Sequence, residues 1–76
     1  MIATVWTQPN CPYCDTVKKS LTEHGYSIVE RDIMQMSDFI RQQFKDKYKT
    51  TPQVFIGQTH VGDCTQTVAW LEGLNV

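Results

Sequence analysis

Apolar and polar residues alternate along this chain with two different periods, which divide it into strands and helices. Ile2 to Trp6 is a short apolar run with β-branched residues that ends in the turn sequence TQPN, so it predicts a buried strand. A proline at position 12 suits the first turn of a helix. Apolar residues then recur at helical spacing at Cys14, Val17 and Leu21, which predicts an amphipathic helix.

The middle of the chain predicts a second strand and a second helix. Tyr26 to Ile33 mixes β-branched, aromatic and charged residues, which is typical of a strand. Ser37 can cap the helix that follows, because its hydroxyl can accept a hydrogen bond from the first turn. Apolar residues recur every four positions along that helix: Met36, Ile40, Phe44 and Tyr48.

The last third of the chain predicts a hairpin and a third helix. In VFIGQTHV, two alternating runs flank Gly57-Gln58, which fits a two-residue turn. Asp63 or Thr65 can cap the final helix, and Asp63 with Gln66 has the spacing of a capping box. That helix would turn two apolar side chains inward, Val68 and Leu71.

This order of elements, β-α-β-α-β-β-α, predicts an α/β fold in one domain spanning residues 1–76. Two strands joined through a helix should be parallel, with a right-handed crossover. The final hairpin adds antiparallel strands. A four-stranded mixed sheet flanked by helices is the economical assembly.

Composition and charge exclude several classes of function. The chain has 76 residues and a net charge of -1, which argues against a nucleic-acid footprint or binding to an anionic membrane. No apolar run approaches the roughly 20 residues of a membrane span, and the N-terminus lacks the pattern of a secretory signal. Three cysteines are an odd number, which favours a reducing compartment over a disulfide-stapled secreted domain.

The candidate chemistry is the thiol pair Cys11 and Cys14. Residues at i and i+3 on a helix are neighbours, so the two sulfurs can come close enough to form a disulfide. A helix N-terminus favours the thiolate, which is the reactive form. Cys11 at the loop end should be accessible and Cys14 partly buried, so the pair is interpreted as a nucleophile and a resolving thiol.

Other interpretations of these residues stay open. The pair could be a permanent disulfide, although so small a loop would constrain the unfolded chain little. Cys11, Cys14, His60 and Cys64 could form a Cys3His zinc site. Pro52, directly before a strand, could be an ordinary trans strand-edge proline, or a cis proline that leaves the backbone of the preceding residue free to pair with a thiol peptide.

Three motifs together carry a resemblance to a known family. CPYC at 11–14, TTPQVFIG at 50–57 and HVGDCTQ at 60–66 resemble a dithiol glutaredoxin in order and spacing, over nearly the whole chain. The resemblance implies a thioredoxin fold and glutathione-dependent reduction of disulfides. It assigns Cys11 as nucleophile, Cys14 as resolving thiol and Pro52 as the cis proline.

The resemblance also implies a glutathione site. Thr51 would pair through its backbone with the glutathione cysteine, and the backbone N–H groups of Cys64 and Thr65 would hold the γ-glutamyl carboxylate. Lys49 is the candidate for the glycine carboxylate. The implied glutathione-binding residues are Tyr13, Lys49, Thr51, Pro52, Cys64 and Thr65.

Three positions depart from the pattern of that family. Thr51 replaces the usual valine before the cis proline, which leaves the backbone role intact. Gly62-Asp63 replaces the usual Gly-Gly and puts a carboxylate beside the implied carboxylate site. Gln8 stands where a basic residue is common.

The expected protein is therefore a monomeric, cytoplasmic oxidoreductase with glutathione as co-substrate and no metal. Its expected partners are disulfide-containing or glutathionylated proteins, with ribonucleotide reductase as one candidate, and neither nucleic acid nor membrane. One alternative is a thioredoxin-like electron donor recharged by a flavoprotein reductase. A second alternative is a module that binds zinc or an iron–sulfur cluster.

Overall fold

The computed structural model describes residues 1–73, and its elements follow the predicted order. They are β1 Ile2–Thr7, α1 Pro12–Glu23, β2 Ser27–Asp32, α2 Asp38–Lys47, β3 Gln53–Ile56, β4 Thr59–Gly62 and α3 Cys64–Gly73. Ser37 caps α2 through its hydroxyl, as its position predicted. Gly25 follows the end of α1 with a φ of 86°, a conformation that glycine adopts without strain.

The four strands form one mixed sheet in the order β2-β1-β3-β4. The central strand β1 pairs parallel with β2 and antiparallel with β3, so that Val5 lies between Glu30 and Val54. The hairpin of β3 and β4 turns at Gly57-Gln58, with an irregularity in the register between Val54 and Phe55. The α/β fold with a four-stranded mixed sheet is therefore confirmed.

One face of the sheet carries the main core. Side chains alternate between the two faces of a strand, so Ala3 and Val5 point together toward the side covered by α1 and α3. The buried members of this cluster are Ala3, Val5, Val17, Leu21, Tyr26, Val54, Cys64 and Leu71. Because α1 and α3 share this core, the first turns of both helices are held against the same sheet.

The opposite face is covered by α2, through aromatic contacts. Trp6 points away from the main core and stacks on Phe44, with ring centroids 5.4 Å apart. Phe44 is the buried residue of α2, whereas Ile40 is exposed. The ladder predicted along α2 is thus only partly buried, because a single helix covers only part of this face.

The chain leaves β2 one residue earlier than the sequence predicted. A short 3₁₀ helix occupies Ile33–Gln35, and the Asp32 carboxylate accepts a hydrogen bond from the backbone N–H of Met34 at 2.8 Å. An aspartate that caps the next turn ends the strand locally. Within residues 1–73, no helix has both the length and the apolar character of a membrane span.

Candidate active site

The thiol pair lies where the loop after β1 enters α1. Cys11 is the N-cap of α1, and Pro12 occupies the first turn, where a missing N–H costs no hydrogen bond. Cys11 and Cys14 form a disulfide with their Cα atoms 5.2 Å apart, within the range that this bond requires. The Cys11 sulfur also accepts a hydrogen bond from the backbone N–H of Cys14 at 3.2 Å.

The two cysteines differ in exposure, as their places in the helical pattern predicted. Cys14 is only 2% exposed and is buried on the same side of α1 as Val17 and Leu21. Cys11 is half-buried at the helix end. An incoming sulfur can therefore reach Cys11 far more easily than Cys14.

The segment before β3 lies directly against the dithiol. The peptide bond between Thr51 and Pro52 is cis, as the resemblance implies. The Thr51 hydroxyl donates a hydrogen bond to the Cys11 sulfur at 3.6 Å. The resemblance implies only a backbone role for Thr51, so this side-chain contact was not expected. The sequence contains a sign of this contact, because Thr51 carries a hydroxyl at a position where valine is usual.

A groove of about 270 Å³ adjoins the dithiol, and we call it the active-site groove. Its lining comes from the start of α1, the segment before β3 and the start of α3: Tyr13, Thr50, Thr51, Pro52, Asp63, Cys64 and Thr65. It therefore gathers five of the six residues expected at a glutathione site. The lining also contains the acidic residue Asp63, and Thr50, which was not expected there from the sequence.

Lys49, the sixth expected residue, lies in a separate hollow of about 230 Å³. This lysine hollow shares Thr50 and Thr51 with the active-site groove. Its other lining residues are Gln8, Ile33, Phe44, Lys45, Tyr48 and Lys49. The two depressions thus share two lining residues, and one of these, Thr51, also contacts Cys11.

The start of α3 forms the far wall of the groove and is capped by Asp63. The Asp63 carboxylate accepts from the backbone N–H of Gln66 at 2.9 Å, and the Gln66 side chain accepts from the N–H of Asp63 at 3.0 Å. This reciprocal pair is the capping box predicted from the spacing. Gly62 precedes it with a φ of 124°, and a Cβ there would collide with the Gln66 side chain.

Cys64, the first residue of α3, is a buried thiol. It is 9% exposed, and burial, reinforced by the charge of Asp63, raises the pKa of this thiol above its usual value. A raised pKa keeps the sulfur protonated and unreactive near neutral pH. The geometry is consistent with a position whose backbone, rather than its thiol, faces a ligand.

Comparison with known proteins decides the family. A family model described as Glutaredoxin matches residues 3–61, more than half of the chain. The chain belongs to the glutaredoxin family. A glutaredoxin from Ricinus communis is 38% identical over 69 residues, covering 86% of this chain and 68% of the relative. A glutaredoxin from Neisseria meningitidis is 36% identical over 64 residues, covering 82% of this chain and 75% of the relative.

Solved structures agree with this assignment. The crystal structure of a wheat glutaredoxin superimposes with a TM-score of 0.78 at 32% identity, covering 93% of this chain and 71% of that one. The crystal structure of a buckwheat glutaredoxin–glutathione complex superimposes with a TM-score of 0.69 at 25% identity, covering 91% of this chain and 74% of that one. This glutaredoxin therefore has the thioredoxin fold and is a thiol–disulfide oxidoreductase with a redox-active cysteine pair.

A charged pair behind the dithiol fixes α1 of this glutaredoxin to the sheet. The Lys18 ammonium lies 2.9 Å from the Glu30 carboxylate, which also accepts from the Thr7 hydroxyl at 3.0 Å. The Lys18 hydrogen bond lowers the pKa of Glu30, and the Glu30 hydrogen bond raises the pKa of Lys18. The pair joins α1 to β2 just behind the reactive end of the helix.

The Cys3His zinc site considered from the sequence is not assembled. His60 lies 2.7 Å from the Gln53 side chain and stacks on Phe55, on the sheet face that α2 covers. In the described part of the chain, no three or more Cys, His, Asp or Glu side chains are grouped so that they could hold a metal ion.

Proposed function

We propose that this glutaredoxin reduces protein–glutathione mixed disulfides and protein disulfides through Cys11, with glutathione as the reductant. The observation that carries the proposal is the position of the Cys11 sulfur. It caps a helix N-terminus, accepts the Cys14 N–H and contacts the hydroxyl of Thr51, which lines the active-site groove. A helix N-terminus favours the thiolate, which is the attacking species.

In the one-thiol route, the Cys11 thiolate attacks the glutathione sulfur of a mixed disulfide. The bond between that sulfur and the substrate protein breaks, the protein thiolate leaves and takes up a proton, and Cys11 carries the glutathionyl group. The thiolate of a second glutathione then attacks the glutathionyl sulfur. Oxidised glutathione and the Cys11 thiolate are the products, so one free glutathione is consumed and the mixed disulfide is exchanged for the disulfide of oxidised glutathione.

In the two-thiol route, the Cys11 thiolate attacks a protein disulfide and forms a mixed disulfide with the substrate. Cys14 loses its proton and attacks the Cys11 sulfur, which releases the substrate as a dithiol. Cys11 and Cys14 are left oxidised, as the structure describes them. Two glutathiones restore the dithiol by the same exchange chemistry.

We place glutathione in the active-site groove. Its cysteine would pair with the Thr51 backbone beside Pro52, and its γ-glutamyl carboxylate would meet the backbone N–H groups of Cys64 and Thr65. Tyr13, 67% exposed at the rim, would pack against the bound tripeptide. Lys49 would reach the glycine carboxylate from the adjoining lysine hollow.

Two cysteine variants test these roles with one mixed-disulfide assay and one protein-disulfide assay. Cys14→Ser should keep the removal of glutathione from a peptide and lose the reduction of a protein disulfide, because only the second needs a resolving thiol. Cys11→Ser should lose both activities. Retention of either activity by Cys11→Ser would refute the assignment of Cys11 as nucleophile.

A second candidate function rests on the charge of the groove. Among residues 1–73, no Lys or Arg lines the groove, and Asp63 adds a negative charge, which disfavours an anionic tripeptide. The alternative is a thioredoxin-like donor recharged by a flavoprotein reductase. Recharging the oxidised protein with glutathione plus glutathione reductase, and separately with thioredoxin reductase plus NADPH, separates the two functions by which mixture restores free thiols.

We further propose that the protein works as a monomer in the cytoplasm, on disulfide-containing or glutathionylated proteins. A dithiol that is recharged by glutathione needs a reducing compartment to turn over. Ribonucleotide reductase is one candidate partner, since it requires an external dithiol donor. Reduction of its oxidised form by this protein, with glutathione present, tests that partnership.

A further inference from the structure

Gln53 is a buried polar residue that the proposed function does not use. It is the first residue of β3 and lies opposite Trp6 of β1, with only 7% of its surface exposed. Its side-chain nitrogen donates a hydrogen bond to the Thr50 carbonyl oxygen at 3.1 Å, and its side-chain oxygen lies 2.7 Å from Nε2 of His60. Both ends of this amide therefore have a partner, as the burial of a polar group requires.

The direction of these two hydrogen bonds follows from the groups that they join. The Thr50 carbonyl can only accept, so Gln53 must turn its NH2 group toward it and its oxygen toward His60. An amide oxygen also can only accept, so Nε2 of His60 must carry a proton. The result is one continuous chain of hydrogen bonds, from the His60 ring through the Gln53 amide to the Thr50 carbonyl.

His60 is itself held by contacts with two aromatic rings. It lies opposite Phe55 in the pairing of β3 with β4 and stacks on that ring, with centroids 4.7 Å apart. The centroid of the Tyr48 ring, at the end of α2, lies 4.9 Å away. The hydrogen-bond chain is therefore anchored to both the sheet and the end of α2.

The Gln53 amide closes a four-residue turn, Thr50 to Gln53, that contains Thr51. The bond to the Thr50 carbonyl fixes the start of the turn, and the pairing of Gln53 with β1 fixes its end. Thr51 lies between these two fixed points, and its hydroxyl donates to the Cys11 sulfur at 3.6 Å. The position of this hydroxyl at the reactive sulfur therefore depends on Gln53.

The Thr51 hydroxyl is one of two donors to the Cys11 sulfur, and the other is the backbone N–H of Cys14. A hydrogen bond to a thiolate favours the charged form over the thiol. The N–H is fixed by the helix that contains it, whereas the hydroxyl reaches the sulfur only while the turn holds Thr51 in place. The turn therefore controls how strongly the site favours the thiolate.

We propose that Gln53 and His60 are positioning residues for the reactive thiol. By holding the turn in place, they keep the Thr51 hydroxyl on the Cys11 sulfur, where it stabilises the thiolate. This inference rests on the proposed function, because it concerns the reactivity of the same thiol. It goes beyond that function in assigning roles to two residues that do not line the active-site groove.

Gln53 also has a purely structural explanation, which the experiment must separate. An amide that pairs with the Thr50 carbonyl stabilises the fold even where no reactivity depends on it. The measured quantity is therefore the rate at which iodoacetamide alkylates Cys11 in the reduced protein at pH 7, because this rate follows the thiolate fraction. A loss of stability alone does not lower that rate in protein that remains folded.

The first test is a double-mutant cycle between Gln53 and Thr51. Gln53→Met keeps an unbranched side chain of similar length but cannot donate to the Thr50 carbonyl, and Thr51→Val keeps the shape of the side chain but removes the hydroxyl. Each variant should slow the alkylation of Cys11 about threefold to tenfold. The combined variant should be no slower than Thr51→Val alone, because Gln53 acts through the hydroxyl. Urea unfolding checks that each variant is folded in the assay.

The second test changes His60, an exposed residue whose variants should fold. His60→Phe keeps an aromatic ring against Phe55 but has no N–H for the Gln53 amide. His60→Gln loses the ring but carries an N–H at a similar reach. We expect His60→Phe to slow the alkylation of Cys11 about twofold, and His60→Gln to restore the rate of the unchanged protein.

Several results would overturn the positioning roles and leave the proposed function standing. Unchanged alkylation in Gln53→Met or Thr51→Val refutes them, and so does a Gln53→Met effect of the same size with and without the Thr51 hydroxyl. Equal rates in His60→Phe and His60→Gln would remove His60 from the proposal. Retention of mixed-disulfide reduction by Cys11→Ser is a different result, because it refutes the proposed function and the positioning roles together.

Discussion

Two cysteines of this protein lie at helix N-termini, but their surroundings have opposite effects on the reactivity of the thiol. Cys11 is the half-buried N-cap of α1, and its sulfur itself accepts a hydrogen bond from the helix. Cys64 is the first residue of α3, where Asp63 serves as the cap and burial raises the pKa of the thiol. The same element of secondary structure thus supports a reactive sulfur at one site and an inert one at the other.

The difference shows that a helix N-terminus does not by itself activate a thiol. At α3, desolvation and a neighbouring carboxylate oppose the thiolate, and the cap position is already filled. At α1, the Cys11 sulfur is itself the cap and accepts the backbone N–H of Cys14. Activation depends on which atom occupies the cap and on how much water reaches it.

The largest expected effect is in thiol labelling. In the reduced protein at pH 7, iodoacetamide should modify Cys11 at least about 100-fold faster than Cys64, because only the exposed thiolate reacts appreciably. The raised pKa of Cys64 means that its labelling should become appreciable only above the usual pH range of thiols. Peptide mass spectrometry over time measures both rates. Similar labelling rates at pH 7 would contradict the difference in reactivity between Cys11 and Cys64. The control is Cys64→Ser, in which the labelling rate of Cys11 should be unchanged.

The next effect concerns the backbone that sets up the α3 cap. Gly62→Ala should lower the free energy of unfolding by about 2–4 kcal/mol, since it adds a Cβ at a positive φ and against Gln66. Gly57→Ala is the matched control, with a φ of 61° but open space around the added Cβ. It should cost only about 1–2 kcal/mol. Urea unfolding measures both, and equal losses would mean that the Gln66 side chain simply moves aside.

The α3 cap itself is tested by removing its carboxylate in two ways. Asp63→Ala should cost about 1 kcal/mol of stability, because the N–H of Gln66 loses its acceptor. Asp63→Asn keeps an acceptor oxygen and should cost much less. Chemical unfolding curves of the two variants give the difference. If both variants lose the same stability, the charge of Asp63 rather than its hydrogen bond holds the start of α3.

The same asparagine variant tests the effect of this charge on binding. Asp63→Asn should lower the KM for a glutathionylated peptide about threefold, since it removes a negative charge from the groove without changing its shape. Asp46→Asn, which changes net charge equally on α2 outside both depressions, should leave this KM unchanged. An unchanged KM in Asp63→Asn would show that the carboxylate does not oppose the tripeptide.

The smallest effect comes from the ion pair that ties α1 to the sheet. Because the pKa of Glu30 is lowered in the folded protein, this group stabilises the fold at pH values above the usual carboxyl range. That stability is lost as the pH falls through the folded-state pKa of Glu30. Because the pKa of Lys18 is raised in the folded protein, this group stabilises the fold at pH values below the usual lysine range. That stability is lost as the pH rises through the folded-state pKa of Lys18. Both side chains are partly exposed, so the pair is worth only about 0.2–1 kcal/mol.

Lys18→Met tests that pair, with Lys19→Met as the control on the exposed side of the same helix. The stability difference between the two variants should be largest near neutral pH and shrink toward both acid and strong alkali. A difference that does not change with pH would mean that Lys18 acts through the packing of its aliphatic chain. In residues 1–73, no comparable ion pair joins α3 to the sheet.

Much of the fold follows from local patterns in the sequence. The stripe of Cys14, Val17 and Leu21 fixes which side of α1 is buried, and Gly57-Gln58 and the Asp63–Gln66 spacing mark the hairpin and the last helix. These patterns act within a few residues and need no knowledge of the rest of the chain. The burial along α2 could not be obtained this way, because it depends on how the helix lies across the sheet.

In the active site too, some features follow from the local sequence and others depend on the tertiary structure. The proximity of Cys11 and Cys14 follows from their spacing on one helix, whereas the contact between the Thr51 hydroxyl and the Cys11 sulfur spans 40 positions. Such a contact depends on strand pairing, because β3 brings the segment before it alongside the end of β1. The separation of Lys49 from the groove is also a tertiary result, set by where the chain runs after α2.

The hydrogen bond from the Cys14 N–H to the Cys11 sulfur has a practical consequence for spectroscopy. The nitrogen that carries this amide proton lies 3.2 Å from the Cys11 sulfur. The charge and bonding of that sulfur change at every step of the catalytic cycle. The NMR chemical shift of the amide proton should therefore differ among the thiolate, glutathionylated and disulfide forms. One backbone resonance, in uniformly ¹⁵N-labelled protein, would follow turnover without any substitution of the cysteines.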